Sequence, residues 1–420
     1  MQQATLDAFS KPGDLVLISP TGSGKTLAFL LPLLSVLQPG RKDVQVLVIV
    51  PTRELAQQIE QVWKQMATGF KISCCYGGHS VQTERNNLTE PPAMLVGTPG
   101  RLSHHLRKKN LDLSTTGILI LDEFDKSLES GFQDEMSFIL KNMSRLQKKI
   151  LTSATPIEEI PSFVEINDSA ELNFATENKQ DGTGLQLRSV RVTGDDKLEA
   201  LLLLIGYIKS PSTLVFCNHR DAVARISEQL SRLKIDHGFY HGGLEQIDRE
   251  KTLIKLRNGS IQLLISTDLA ARGLDIPEIE AVIHYQLPAT EDVMVHRNGR
   301  TARMHAGGTA YFLLEKDDYL PPFLKVTPQE EKLPAKLTIP PPSPWKTLYI
   351  SAGKKDKVNK MDIVGMLLQK GGLGKEELGK IEVLDHSAYV AIKSNRIQKT
   401  LQLIREERIK NKKVKMEISS

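Results

Sequence analysis

The chain has 420 residues, 40% hydrophobic and 25% charged, a composition that fits a folded protein of two or three domains and excludes a disordered or fibrous one. Its longest apolar runs are strand-length, so no membrane span is expected, and no charged-then-apolar leader opens it. The three cysteines, Cys74, Cys75 and Cys217, lack ligand spacing, which excludes a disulfide framework or zinc site and leaves idle thiols in a reducing cytoplasm as the expectation. The net charge of +5 is unevenly spread: residues 343–420 hold 17 basic against nine acidic side chains, and the remainder holds 38 against 41. A basic appendage on a near-neutral body points either to nucleic-acid binding or to a solvated lysine-rich tail.

Taken in chain order, short β-branched apolar runs recur at 15–18, 46–50, 94–96, 118–121 and 150–151. They recur again at 214–216, 263–265, 281–283 and 309–314. Continuous apolar runs read as strands buried on both faces. Helical stretches such as 55–66 and 220–233 lie between them, and strand–helix alternation implies parallel sheets covered by helices. The pattern runs through twice, with a polar linker at 176–184. A second break, at 326–343, leads into prolines 334, 340, 341, 342 and 344 and reads as a semi-rigid spacer. The expected division is therefore 1–178, 185–325, a linker at 326–343, and a small unit at 344–420.

Two strings carry chemistry in the first unit. Thr21-Gly22-Ser23-Gly24-Lys25-Thr26 follows the first strand and opens a helical stretch. Glycines let the backbone N–H groups turn toward phosphate oxygens, Lys25 suits the β- and γ-phosphates, and the Thr26 hydroxyl suits Mg²⁺. The second string, 118–125, ends a four-residue apolar run in Asp122-Glu123-Phe124-Asp125. Asp122 is placed to hold the metal and Glu123 to orient or deprotonate the attacking water. The pair implies ATP binding and hydrolysis. If residues 122–125 continue the strand, successive side chains alternate faces, and Asp122, Glu123 and Asp125 keep their posts around Phe124.

These strings, with the segments around them, resemble the DEAD-box RNA helicases, with the third letter of the carboxylate motif changed to Phe124. The resemblance spans the first two units in the family's motif order. It implies two tandem RecA-like α/β domains with parallel sheets. Gln2, 23 positions before Lys25, is implied to read adenine. Arg53, Gly78, Thr98 and Arg101 fall in motifs that face RNA. Ser153 and Thr155 (Ser-Ala-Thr), with Asp125 and His296, are implied to couple the nucleotide site to strand separation. In the second unit, Arg249 and Thr267 are implied to face RNA, and Gly273 and Asp275 the nucleotide. Arg300 and Arg303 resemble arginine fingers reaching the γ-phosphate, where a guanidinium stabilises transition-state charge. Departures are Phe124 for alanine, Asn298 for an apolar residue, and Ala302 for glycine; the chain also begins at the glutamine motif without its upstream aromatic, so either the start is truncated or adenine stacking is missing, which would weaken ATP binding.

In the last unit, 348–350 and 388–392 read as strands, with helical stretches at 360–368 and 394–409, suiting a small RRM-like α+β domain. The string 348–357, with Tyr349, Lys354, Lys355 and Lys357, resembles the RNA-binding domain of the DbpA helicase family. That resemblance implies recognition of a ribosomal RNA hairpin and a role in large-subunit assembly. The expected protein is a cytoplasmic, monomeric, RNA-dependent ATPase using ATP and Mg²⁺. An ATP-gated RNA clamp with little turnover is the alternative, and a DNA helicase fits the motif set less well.

Overall fold

The computed structural model describes every residue except 21, 79, 157–158, 175–183, 193–195, 209, 211, 269–275, 277–278, 302–306 and 420. The expected linker at 176–184 thus falls almost wholly outside the described residues. Two compact units emerge, one built on residues 1–184 and one on most of residues 185–420.

The first unit holds a seven-stranded parallel sheet made of β1 (Leu15–Ile18), β2 (Val46–Ile49), β3 (Ile72–Cys75), β4 (Met94–Gly97), β5 (Ile118–Leu121), β6 (Lys148–Ser153) and β7 (Ala170–Asn173). The strand order is β3-β4-β2-β5-β6-β1-β7. Alternate residues of the inner strands enter opposite cores. Val46, Val48, Ile120 and Ile150 join the cluster on one face. Leu47, Ile49, Leu119 and Leu151 join the cluster on the other. Both faces are dry, which is why the sequence shows runs without alternation. Strands β3 and β7 escaped the sequence reading because both lie at sheet edges and bury only alternate residues fully or in part.

The second unit repeats the architecture with β8 (Leu185–Arg191), β9 (Thr213–Cys217), β10 (Gly238–Tyr240), β11 (Leu263–Thr267), β12 (Ala281–His284), β13 (Gly308–Leu314) and β14 (Gln329–Glu330). Its order is β10-β11-β9-β12-β13-β8-β14, again with parallel pairing throughout. The two parallel sheets are RecA-like, as the resemblance implied.

The proline-rich stretch is laid along this unit rather than spanning free. Gln329 and Glu330 extend the sheet as β14, and Glu331 accepts hydrogen bonds from the Tyr207 hydroxyl at 2.6 Å and from Arg188 at 3.3 Å. The Thr338 carbonyl lies so close to Gly206 that a Cβ there would stand 1.9 Å from its oxygen. The non-proline residues of the stretch supply these contacts, so its proline content did not foretell them.

The C-terminal domain pairs β15 (Trp345–Ile350), β16 (Leu378–Val383), β17 (Ala388–Lys393) and β18 (Met416–Ile418) into an antiparallel sheet of order β16-β17-β15-β18. Helices Lys360–Gln369 and Ile397–Ile404 cover one face around Leu348, Ile350, Val390 and Ile392. The helix expected at 394–409 ends at Ile404. Beyond it, Arg408–Ile409 pairs with Lys412–Lys413 across Lys410 and Asn411, whose φ values of +51° and +63° suit a tight hairpin turn. The other sheet face carries Thr347, Tyr349 and Tyr389, and is turned to the second helicase-like sheet domain. There Thr347 accepts from Asn258 and donates to Ser260, and Glu382 receives a two-pronged bond from Arg257 at 3.1 and 3.0 Å.

Candidate nucleotide and RNA site

The phosphate loop leaves β1 and enters the helix Lys25–Leu33 through Gly24, which adopts φ +91°. A side chain there would be strained, and a Cβ would stand 2.5 Å from Gln2 Nε2. Gln2, on the helix Gln2–Phe9, donates to the Gly24 carbonyl at 3.5 Å, so the proposed adenine reader and the loop touch directly. Inside the loop, Ser23 Oγ donates to the Pro20 carbonyl and accepts from Ser19 Oγ, both at 2.7 Å. Lys25 is buried, and its Nζ donates to the Ser19 carbonyl at 2.6 Å and to the Ser153 carbonyl at 3.4 Å. The loop lysine therefore sits between the ends of β1 and β6. Thr26 follows, half-buried in the first turn.

The carboxylates arrive differently from the expectation. The strand β5 stops at Leu121, and Glu123 takes a left-handed φ of +49° to start the short helix Phe124–Glu129. Faces therefore do not alternate through 122–125. The turn turns Phe124 inward, where it is fully buried in the core cluster that includes Leu121, Met136, Ile139 and Leu151. Asp125 pairs with buried Lys126 at 3.0 Å. Asp122 accepts from the Thr152 hydroxyl, and the Glu123 N–H is directed to Asp122 Oδ1 at 3.1 Å and Thr152 Oγ1 at 3.3 Å. Burial pushes the Asp122 carboxyl above its usual range, against the pull of the Thr152 hydroxyl and the Lys25 ammonium. Ser153 is buried, with its Oγ accepting from the Thr155 N–H at 3.2 Å.

Along the same sheet edge, Thr52 caps the helix Arg53–Gln65, and a Cβ on Gly77 would meet the Arg53 guanidinium at 3.0 Å. Gly78 takes φ +93°. Thr98 opens the helix Pro99–Arg107, and Arg101 on that helix pairs with Glu84 at 3.4 Å. Glu84 also bonds His105 at 2.8 Å and accepts from the Tyr76 N–H at 3.0 Å.

In the second unit Thr267 ends β11, buried, and Arg249 stands over the Tyr240 ring at 5.5 Å. His296 and Arg300 are both buried at the end of the helix Glu291–Asn298. Thr21, Gly273, Asp275 and Arg303 lie outside the described residues.

Residues 1–163 match the DEAD/DEAH box helicase family, 196–305 the helicase conserved C-terminal domain, and 347–418 the DbpA RNA binding domain. The chain is 31% identical to the ATP-dependent RNA helicase DbpA of Escherichia coli (strain K12), over 98% of this chain and 92% of that protein. The chain belongs to the DEAD-box ATP-dependent RNA helicases. Its DbpA relative in Bacillus subtilis (strain 168) is 28% identical over 99% of this chain and 93% of its own length. The structure titled S. cerevisiae Dbp5 bound to RNA and ADP BeF3 matches with a TM-score of 0.67 and 25% identity, covering 75% of this chain and 83% of that one.

Three residues of this helicase were missed in the sequence. Thr152 holds Asp122 and faces the Glu123 N–H; its place beside Ser153-Ala154-Thr155 was the available signal. Glu84 holds Arg101 and His105, and nothing local marks it. Arg297 sits between His296 and Asn298 and is almost wholly buried. Its guanidinium forks onto Asp268 at 2.6 and 2.7 Å and reaches Asn218 Oδ1 and the Gln286 carbonyl, each at 2.7 Å. It thereby ties the segment after β11 to the arginine-bearing segment. Asn298 also finds a partner, with its Oδ1 2.9 Å from His284 Nε2.

In the RNA-binding domain of the helicase, Tyr349 leans on Tyr389, ring centroids 5.4 Å apart, on the face turned to the second helicase domain. Lys354, Lys355 and Lys357 are exposed on a short turn. Asp356 of that turn pairs with Lys412 at 3.0 Å, which brings the hairpin lysines beside the turn lysines.

No helix among the described residues is long and apolar enough to cross a membrane.

Proposed function

We propose that this helicase hydrolyses ATP with Mg²⁺ to open short RNA duplexes locally, directed to large-subunit ribosomal RNA by its C-terminal domain. The observation that carries the chemistry is the meeting of Lys25, Asp122 and Thr152 at the ends of β1, β5 and β6. A buried carboxylate with its charge held up by one lysine and one hydroxyl, together with the Thr26 hydroxyl that follows Lys25 in sequence, is a hard-oxygen donor set of the kind Mg²⁺ accepts while keeping several waters. When bound, the metal would neutralise charge on the phosphate oxygens. Lys25 holds the β- and γ-phosphates, and the loop N–H groups after Gly22 cradle them. Glu123, aimed by the left-handed turn at its own Cα, takes the proton of the attacking water. Arg300 and Arg303 supply positive charge when both domains engage ATP and RNA. Gln2 reads adenine beside the loop. Arg53, Gly78, Thr98, Arg101, Arg249 and Thr267 contact RNA sugar and phosphate, which carries little sequence information. Sequence choice then falls to the C-terminal domain, where Lys354, Lys355, Lys357 and Lys412 attract phosphates.

We further propose that the protein works as a cytoplasmic monomer on ribosomal assembly intermediates; of this, the DbpA RNA binding domain match supports the RNA partner. Steady-state ATPase with and without large-subunit RNA tests it. RNA should stimulate turnover, and Glu123→Gln should lower the stimulated rate by at least about 100-fold, as expected for loss of a general base. Reversing Lys354, Lys355 and Lys357 to Glu should erase preference for ribosomal over unrelated RNA while basal ATPase persists. Turnover indifferent to RNA would replace this reading with the ATP-gated clamp.

A further inference from the structure

The C-terminal domain and the second helicase domain share a polar seam within one compact unit. At its centre, Asn258 Nδ2 donates to Thr347 Oγ1 at 2.9 Å, and Thr347 donates on to Ser260 Oγ at 2.7 Å, all buried. Ser343 Oγ donates to the Gly259 carbonyl at 2.6 Å, and Lys346 pairs with Asp236 at 2.8 Å. Beside these contacts lies a cavity of about 370 Å³. Both domains line it: Lys255, His237 and Ile261 from one side, Lys346, Ile397 and Ser419 from the other.

Two lining groups are unsatisfied. Lys255 is half-buried, and its ammonium makes no hydrogen bond or ion pair among the described residues. Burial, with Lys251 and Lys346 nearby, holds its pKa below the usual lysine range, while Asp236 acts the other way. Ser419 is 9% exposed, and its Oγ is buried with no hydrogen-bond partner among the described residues. Buried polar groups in folded proteins are nearly always paired, so an orphan hydroxyl lining the same cavity as an unpaired ammonium asks for an anionic acceptor. His237 does not supply one. Its Nε2 is engaged with Ser227 and its Nδ1 with the Ile235 carbonyl, each at 2.8 Å, and burial keeps it neutral. Asp236 is engaged by Lys346. The cavity is therefore left with one net positive charge, several hydroxyls and an isoleucine wall. Its volume lies near the small end of small-molecule sites, about 300–1,000 Å³, too small for a folded strand.

We propose that this seam cavity binds the phosphate of a single nucleotide, free or within an RNA strand, with the base against Ile261 and Ile397. Occupancy ties the C-terminal domain to the second helicase domain, because the ligand bonds both sides. The site is separate from the phosphate loop and does not rest on the catalytic reading.

Site-specific footprinting of the full-length protein tests it. Lys255 is labelled with an amine-reactive acylating reagent and quantified by mass spectrometry, with inorganic phosphate, 5′-CMP or a short cytidine oligonucleotide as competitor. Saturable protection of Lys255 by CMP supports a free nucleotide as ligand. Protection by the oligonucleotide alone supports a nucleotide within RNA. Ser419→Ala removes only the hydroxyl and should weaken protection about three- to tenfold, with ATPase on unrelated RNA unchanged. Lys255→Gln should abolish the CMP-dependent rise in the melting temperature of this unit. Labelling of Lys255 indifferent to all three competitors, or protection unaltered in Ser419→Ala together with an unaltered melting rise in Lys255→Gln, overturns the proposal.

Discussion

Phe124→Ala would restore the letter usual in the family at the centre of the carboxylate motif, yet the structure makes it a damaging change. The ring is fully buried, 0% exposed, among Leu121, Met136, Ile139 and Leu151. Truncating a buried phenylalanine to alanine costs about 3–5 kcal/mol, since the transfer energy of the ring is lost and the cavity collapses only in part. For a unit of this size, each kcal/mol lowers the melting temperature by about 2–4 °C, so the first unit should melt about 6–20 °C lower. Thermal unfolding of the full chain, followed by circular dichroism and calorimetry, reads this directly. Asp122 and Glu123 are held by Thr152 and the left-handed turn rather than by the ring. RNA-stimulated ATPase well below the new melting point should therefore change by no more than a few-fold. A melting temperature within about 2 °C of wild type would refute the packing argument. A large loss of turnover in a stable variant would show that the ring, not Thr152, sets the carboxylates.

Two further outcomes are expected. Arg257→Glu opposes Glu382 across the seam and should loosen the C-terminal domain, seen as faster proteolysis near residues 326–343; Glu382→Arg in the same chain should restore it, with a coupling of about 1–3 kcal/mol, and strictly additive effects would show that the pair carries no docking energy. Burial, with Arg297 adding to it, lowers the His284 imidazole from 6.5 to about 3. Because the folded value is the lower one, the unfolded chain takes up this proton first. The contribution of neutral His284 is complete above about pH 6.5 and is lost as pH falls toward 3, by about 1.4 kcal/mol per unit. Urea unfolding at pH 7 and pH 5 should show a shallower acid slope in His284→Gln, and equal slopes would contradict the buried, neutral assignment.

The sequence by itself determined the two parallel sheets and the order of the chemical motifs. Those signals are local. A strand dry on both faces must be a continuous apolar run, as at Val46–Ile49 and Ile118–Leu121. A phosphate loop must pair glycines with a lysine at fixed spacing, and Gly24 shows why, with its left-handed φ and Gln2 pressed against it. Edge strands such as Ile72–Cys75 escaped because half of their side chains are only partly covered. Only the tertiary structure decided how the chemical residues are held. Thr152 reaches Asp122 across 30 positions, Arg297 reaches Asp268 across 29, and Glu84 reaches His105 across 21. No spacing in the chain announces such pairs, because parallel sheets join strands through long crossovers. The turn at Glu123 likewise became visible only when the core claimed Phe124. The seam that seats the basic domain on its neighbour, with the outward sheet face turned inward, depends on surfaces meeting in space. The sequence showed a proline-rich spacer there, and the fold made it a strap.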